Sequence, residues 1–253
     1  MNRIVFITGA TSGIGKACAE KFAAAGDHLI INGRRKDRLN ELKQSLENQY
    51  KIDILIALFD VQSKKEVFDG INSFTGKWKS VDILINNAGL ALGRDFFDEA
   101  SLNDWETMLQ TNVNGLLYVS KAVLPFMIER NQGHIINLGS VAGDDVYEKG
   151  NIYCASKTAV EAISRAMRID LLQHCIKVTN IKPGAVETEF GVVRFKGDSA
   201  KAAKVYDGFT PLTGKDIAET IFYCASLPPN ICINELEITP VAQANGIFFH
   251  RNL

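Results

Sequence analysis

An apolar run at Ile4 to Ile7 leads directly into T-G-A-T-S-G-I-G at residues 8 to 15. A helical pattern with Ala17, Ala19, Phe22, Ala23 and Ala24 follows at once. Strand, glycine turn and helix start in immediate succession is the context that gives a glycine motif meaning. The turn carries the free amides of a helix N-terminus to the end of a strand, where they attract a pyrophosphate. The glycines let backbone and phosphate approach closely. The spacing Gly9, Gly13, Gly15 departs from the usual dinucleotide pattern G-x-G-x-x-G.

Strand-like runs recur with helical segments between them, at 3–8, 28–33, 52–59, 81–86, 133–139, 176–182 and 232–239. Their apolar residues are nearly continuous, as expected for strands covered on both faces. Right-handed crossovers then give a Rossmann-type α/β fold: a doubly wound parallel sheet of about seven strands with helices on both faces. A chain of 253 residues accommodates this as a single domain, 1–253. Residues 187–215 break the alternation, being rich in charge and glycine and poor in periodicity. They follow the sixth strand on the carboxyl edge where such sheets bind ligands, so a substrate lid is expected there, with a solvated loop as the alternative.

Tyr153 and Lys157 stand four apart in Y-C-A-S-K, thirteen residues after Ser140. On a helix that spacing stacks them on one face. A nearby ammonium favours the phenolate and draws a tyrosine toward the working pH, the minimum needed to move a proton on and off an alcohol or carbonyl oxygen. T-G-x-x-x-G-x-G, N-N-A-G at 86 to 89, T-N-V-N-G with Asn112, N-L-G-S with Ser140, Y-C-A-S-K and P-G-A-V-E-T at 183 to 188 occur in this order. In these motifs the chain resembles the short-chain dehydrogenase/reductase family from residue 8 to about 190. The resemblance implies Tyr153 as general acid/base, with Lys157 lowering its pKa and bonding the nicotinamide ribose. It implies Ser140 on the substrate oxygen and Asn112 holding a relay water.

The second strand ends in Gly33, followed by Arg34, Arg35 and Lys36. An NAD-preferring site places a carboxylate there for the ribose 2′-hydroxyl; glycine followed by cations suits a 2′-phosphate, so NADP(H) is expected. The resemblance assigns the rest of the cofactor site. Gly9, Thr11, Ser12, Gly13, Ile14 and Gly15 would form the phosphate turn, with Asp60 and Val61 at the adenine. Asn87, Ala88 and Gly89 would line the ribose and pyrophosphate path, and Pro183, Gly184, Val186 and Thr188 would reach the carboxamide. No metal is required, since His28, His134, His174 and His250 lack ligand spacing and read as structural.

N-N-A-G-L-A-L-G, D-W-E-T-M and V-E-T-E-F followed by V-R-F-K-G-D resemble the NADP-dependent 3-hydroxy acid dehydrogenase subgroup. That implies oxidation of the β-hydroxyl of acids such as serine, allo-threonine or 3-hydroxyisobutyrate. A small anionic substrate needs a cation, for which Arg194 is the leading candidate, with Arg94, Lys149 and Lys196 as competitors and surface placement the alternative for each. Leu90, Leu92, Val141, Val146 and Phe190 favour a broad carbonyl reductase acting on apolar ketones instead. A catalytically silent cofactor sensor is disfavoured by the complete Asn112, Ser140, Tyr153 and Lys157 set.

A net charge of −1 gives no reason to invoke nucleic acid or an anionic membrane. No segment has the length of a membrane span, and the first strand leaves no room for a signal peptide. Five cysteines without a C-x-x-C pair read as reduced core thiols of a cytoplasmic protein, Cys154 among them as a packing residue. Ile247, Phe248 and Phe249 form an apolar cluster on the C-terminal tail, expected to bury against a neighbour in the family's homotetramer.

Overall fold

Successive side chains of a strand point to opposite faces, and β1 (Ile4–Ile7) obeys this: Val5 and Ile7 enter one buried cluster, Ile4 and Phe6 another. The computed structural model describes residues 2–252. After β1 come α1 (Gly13–Ala24), β2 (His28–Gly33), α2 (Lys36–Gln49), β3 (Ile54–Leu58), α3 (Lys64–Asn72) and β4 (Ile83–Asn86). The second half holds α4 (Leu102–Leu109), α5 (Leu116–Glu129), β5 (Gly133–Leu138), α6 (Asn151–Asp170) and β6 (Ile176–Pro183). It continues through β7 (Val186–Glu187), α7 (Glu189–Arg194), α8 (Ser199–Lys204), β8 (Leu212–Thr213), α9 (Gly214–Ala225) and β9 (Glu235–Ile238).

Seven strands pair in parallel in the order β3-β2-β1-β4-β5-β6-β9, in agreement with the expected doubly wound sheet. The order reverses between β1 and β4, so the chain leaves the carboxyl ends of these neighbours in opposite directions and opens a crevice there. The core divides accordingly. Phe22, Leu39, Ile217 and Ile221 cover one face of the sheet from α1, α2 and α9. Val67, Ile71, Val119, Val123 and Met127 cover the other from α3 and α5. Between α4 and α5 the residues Gln110–Gly115 widen into a π-helical turn that carries Asn112. Such turns recur at functional sites.

Residues 187–215 prove more ordered than their weak periodicity suggests. Two six-residue helices, α7 and α8, lie between the strands of a small parallel pair, β7 and β8. Thr188 starts α7 by accepting from Phe190 N, and Asp198 starts α8 by accepting from Lys201 N. Side-chain caps, invisible to a search for apolar period, begin both helices.

One expectation requires correction. Cys18, Cys154 and Cys224 are buried thiols, but Cys175 is exposed, in a left-handed turn (φ 54°) that ends a helix and faces solvent. The C-terminal tail folds back on its own chain. Phe249 packs its ring 5.3 Å from Phe209, and Arg251 donates to the carbonyls of Val205 and Asp207. Ile247 and Phe248 remain exposed, and Leu253 lies outside the described residues.

Candidate active site

The turns after β1 and β4 are tied together. Thr8 Oγ1 accepts from the amides of Asn87 and Ala88, both at 3.0 Å, and Asn87 Nδ2 donates to Thr8 O at 2.8 Å. Gly9 takes φ +66°, a left-handed conformation that a side chain disfavours. A Cβ on Gly15 would meet Gly9 O and Asn87 Nδ2 at 2.4 Å each, so Gly15 supports the turn from beneath. Thr11, Ser12, Gly13 and Ile14 form the wall of a cleft of about 790 Å³, together with Asp60, Val61, Asn87, Ala88 and Gly89. Ser12 makes no side-chain cap to α1, so the first amides of that helix are free for an anion.

At one end of the cleft the residues fit a 2′-phosphate. A Cβ on Gly33 would come within 2.7 Å of Thr11 Cγ2, so a carboxylate there would have to displace Thr11. Arg34 pairs with Asp60 at 3.3 Å. Arg35 donates to Thr11 Oγ1 at 2.7 Å, Ser12 Oγ at 2.9 Å and Glu189 Oε2 at 2.9 Å. Arg38 reaches the other oxygen of Glu189 at 2.7 Å. Lys36 is exposed and off the cleft wall. Sequence reading missed Arg38, which lies in the first turn of α2, just beyond the run of cations.

At the other end α6 brings Tyr153 and Lys157 to the cleft beside Ser140, Pro183, Gly184, Val186 and Thr188. Burial, and then Tyr147, push the Tyr153 phenol upward; Arg194 and a hydrogen bond with Ser140 pull it the other way. Lys157 Nζ donates to Leu138 O at 2.8 Å and stands 5.9 Å from the Tyr153 ring. The cation nearer that ring is Arg194, at 5.2 Å. Burial lowers Lys157 to about 8. Asn112 lies behind the wall, its amide bonded to Leu90 N and O at 2.8 Å and to Ser156 Oγ at 3.0 Å. These bonds use both of its N–H groups, leave acceptor capacity on Oδ1 and hold the loop after β4.

Arg194 separates from its competitors. Its Nη2 donates to Tyr147 OH at 2.9 Å, and its buried Nε has no hydrogen-bond partner among the described residues. The groups that raise its pKa against burial are Tyr147, Tyr153 and Cys154, with no carboxylate among them. Lys196 is paired with Asp104 at 2.7 Å, and Lys149 lies over the Phe96 ring. Arg94 lines the cleft near Tyr147. Of the apolar set, Leu90, Val141 and Phe190 line the cleft, Leu92 packs behind it, and Val146 is exposed. Tyr147, in a segment without helical period, gave no signal in the sequence.

A family model described as short chain dehydrogenase matches residues 3–198. NADP-dependent 3-hydroxy acid dehydrogenase YdfG of Salmonella typhi is 45% identical over 251 residues, 98% of this chain and 100% of that protein. Sulfoacetaldehyde reductase 2 of Chromohalobacter salexigens is 44% identical over 249 residues, 98% of each chain. The closed form of a serine dehydrogenase complexed with NADP+ superposes with a TM-score of 0.92 at 45% identity, covering 98% of this chain and 100% of the other.

The buried lysine makes stability depend on pH. Its ordinary value of 10.5 falls to about 8 in the fold, so between those values the unfolded chain binds more protons and stability rises with pH. The penalty of charging the buried amine is complete below pH 8 and relieved near pH 10.5. Against Lys157→Met as reference, the unfolding free energy of the parent should gain about 3 kcal/mol across that window by chemical denaturation. A difference that stays flat with pH would show that Lys157 keeps its ordinary proton affinity in place.

Proposed function

We infer that the chain, which belongs to the short-chain dehydrogenase family, is an NADP-dependent oxidoreductase. It acts on the β-hydroxyl of small 3-hydroxy acids such as serine, allo-threonine or 3-hydroxyisobutyrate. The single observation that carries the substrate class is Arg194, a guanidinium 5.2 Å from the Tyr153 ring with a buried Nε that has no hydrogen-bond partner among the described residues. An uncompensated charge in such a place is costly, and a substrate anion would offset that cost. The relatives named for a 3-hydroxy acid and for sulfoacetaldehyde agree with a small substrate bearing an acid group.

When bound, NADP supplies the hydride chemistry. Thr11, Ser12, Gly13 and Ile14 would hold its pyrophosphate, Arg34 and Arg35 its 2′-phosphate, and Asp60 and Val61 its adenine. Pro183, Gly184, Val186 and Thr188 would receive the nicotinamide end. Tyr153 takes the proton of the substrate hydroxyl during oxidation and returns it during reduction, while Ser140 hydrogen-bonds the same oxygen. Lys157 and Arg194 supply the positive field that makes a buried phenolate attainable, and Arg194 holds the acid group. Residues 187–215 act as the lid that brings Arg194 to the substrate. Leu90 and Phe190 support a second reading, reduction of apolar ketones, because they line the same cleft.

Tyr153→Phe keeps the ring and removes the ionisable oxygen, so kcat should fall by at least ~10²-fold, with NADPH affinity little changed. Near-parental turnover in that variant would remove Tyr153 from the mechanism. Arg194→Leu should lower kcat/KM for serine-like hydroxy acids by about 2–4 kcal/mol and leave an uncharged ketone unaffected or better used. If both activities drop together, Arg194 orders the lid; if only the ketone suffers, the apolar reading replaces this one.

The exposed Ile247 and Phe248 support assembly into a homotetramer in the cytoplasm, where five free thiols remain reduced. Removal of residues 246–253 should lower the mass measured by light scattering; an unchanged mass excludes the tail as an assembly determinant.

A further inference from the structure

Glu189 opens α7, the helix that ends in Arg194, and its carboxylate lies between two guanidinium groups. One oxygen accepts from Arg35 at 2.9 Å and the other from Arg38 at 2.7 Å. Arg35 is held at the same time by Thr11 and Ser12 of the glycine turn, so this ion cluster sits on the cleft wall. We propose that Glu189 is a built-in counter-anion: it occupies the phosphate-binding arginines until the 2′-phosphate of the cofactor takes them, and that exchange releases the front of the lid. The proposal rests on the reading of Arg35 as a 2′-phosphate ligand.

Three observations favour exchange over a permanent bond. The side chains of Arg35, Arg38 and Glu189 are 43%, 45% and 46% exposed, the range in which ion pairs are weak and solvent-screened. A phosphate monoester carries up to two negative charges and three acceptor oxygens against one charge and two oxygens on Glu189, so it outcompetes the carboxylate for a guanidinium fork. The helix so tethered has only six residues, too few to hold itself, and is pinned at its far end by Arg194 to Tyr147 at 2.9 Å. Displacing Glu189 therefore frees one end of an element whose other end carries the substrate-facing arginine. A cofactor with a free 2′-hydroxyl brings no anion and leaves the lid fastened. Discrimination between the two dinucleotides would then act on lid position as well as on affinity.

The exchange can be read without turnover, using 2′,5′-ADP and 5′-ADP as probes on the full-length protein. Glu189→Gln keeps the size of the side chain and removes the competing charge. It should tighten 2′,5′-ADP about two- to fivefold by calorimetry, the scale of one exposed ion pair, and leave 5′-ADP unchanged. In the parent protein 2′,5′-ADP, and not 5′-ADP, should speed amide hydrogen exchange over residues 189–197; in the glutamine variant that exchange should be fast from the start. Arg35→Ala separates the two readings. If it does not weaken 2′,5′-ADP relative to 5′-ADP, the phosphate assignment fails and the exchange with it. If it does, while Glu189→Gln gives no gain or hydrogen exchange responds equally to both nucleotides, the counter-anion role alone is overturned.

Discussion

The contact on which the rest of this structure depends is the meeting of two backbone turns at the switch point of the sheet. Thr8, Gly9 and Asn87 exchange hydrogen bonds of 2.8 to 3.2 Å between the ends of β1 and β4. Gly15 permits this closeness because any side chain there would strike Gly9 O. The amides of α1 and the N-A-G backbone thereby share one wall, and α6 and the β6 end bring Tyr153, Lys157 and Pro183 to the other. Both ends of the cleft are thus referenced to this one junction.

What the sequence disclosed follows from how each feature is encoded. The strands were legible because burial on both faces writes a continuous apolar run; their observed ends fall within three residues of those expected, where pairing stops before the apolar residues do. Tyr153, Lys157, Ser140 and the glycine turn were legible because their spacing is chemical. Arg38, Glu189 and Tyr147 were not, because each acts through a partner distant in sequence. Arg35 and Glu189 are 154 residues apart, and Arg194 and Tyr147 are 47 apart. Local periodicity carries no trace of such pairs. Asn112 shows the reverse: a position named by its motif, whose amide the fold commits to Leu90 and Ser156.

The chemical end of the cleft gathers groups that oppose folding. Tyr153 is pushed up by burial, Lys157 is pushed down by burial, and Arg194 Nε is buried without a hydrogen-bond partner among the described residues. Each would be cheaper on the surface. Burial alone favours the neutral forms of both the phenol and the amine. Arg194 on α7 and the Ser140 hydroxyl oppose that push on the phenol, and Lys157 on α6 stands 5.9 Å from its ring. Arg194 arrives on a short helix held by polar contacts and by Phe190, whose ring lies 5.7 Å from that of Tyr153.

That helix illustrates how specificity can be placed on a weak element. α7 and α8 are each six residues, below the length at which a helix persists alone. Their order comes from separate anchors: Glu189 on Arg35 and Arg38, Gly93 N on Arg194 O at 2.9 Å, Lys196 on Asp104, Tyr206 OH on Val186 O at 2.8 Å, and Arg251 on the Val205 carbonyl. Polar anchors of this kind individually contribute little, and the exposed ion pairs among them can be traded for a ligand group of similar charge. Apolar anchors could not be traded so, because no dinucleotide or small acid offers an equivalent surface. If Arg35 and Arg194 have the roles proposed for them, cofactor charge and substrate charge would both act on the position of this segment, while the sheet and the glycine junction beneath stay fixed.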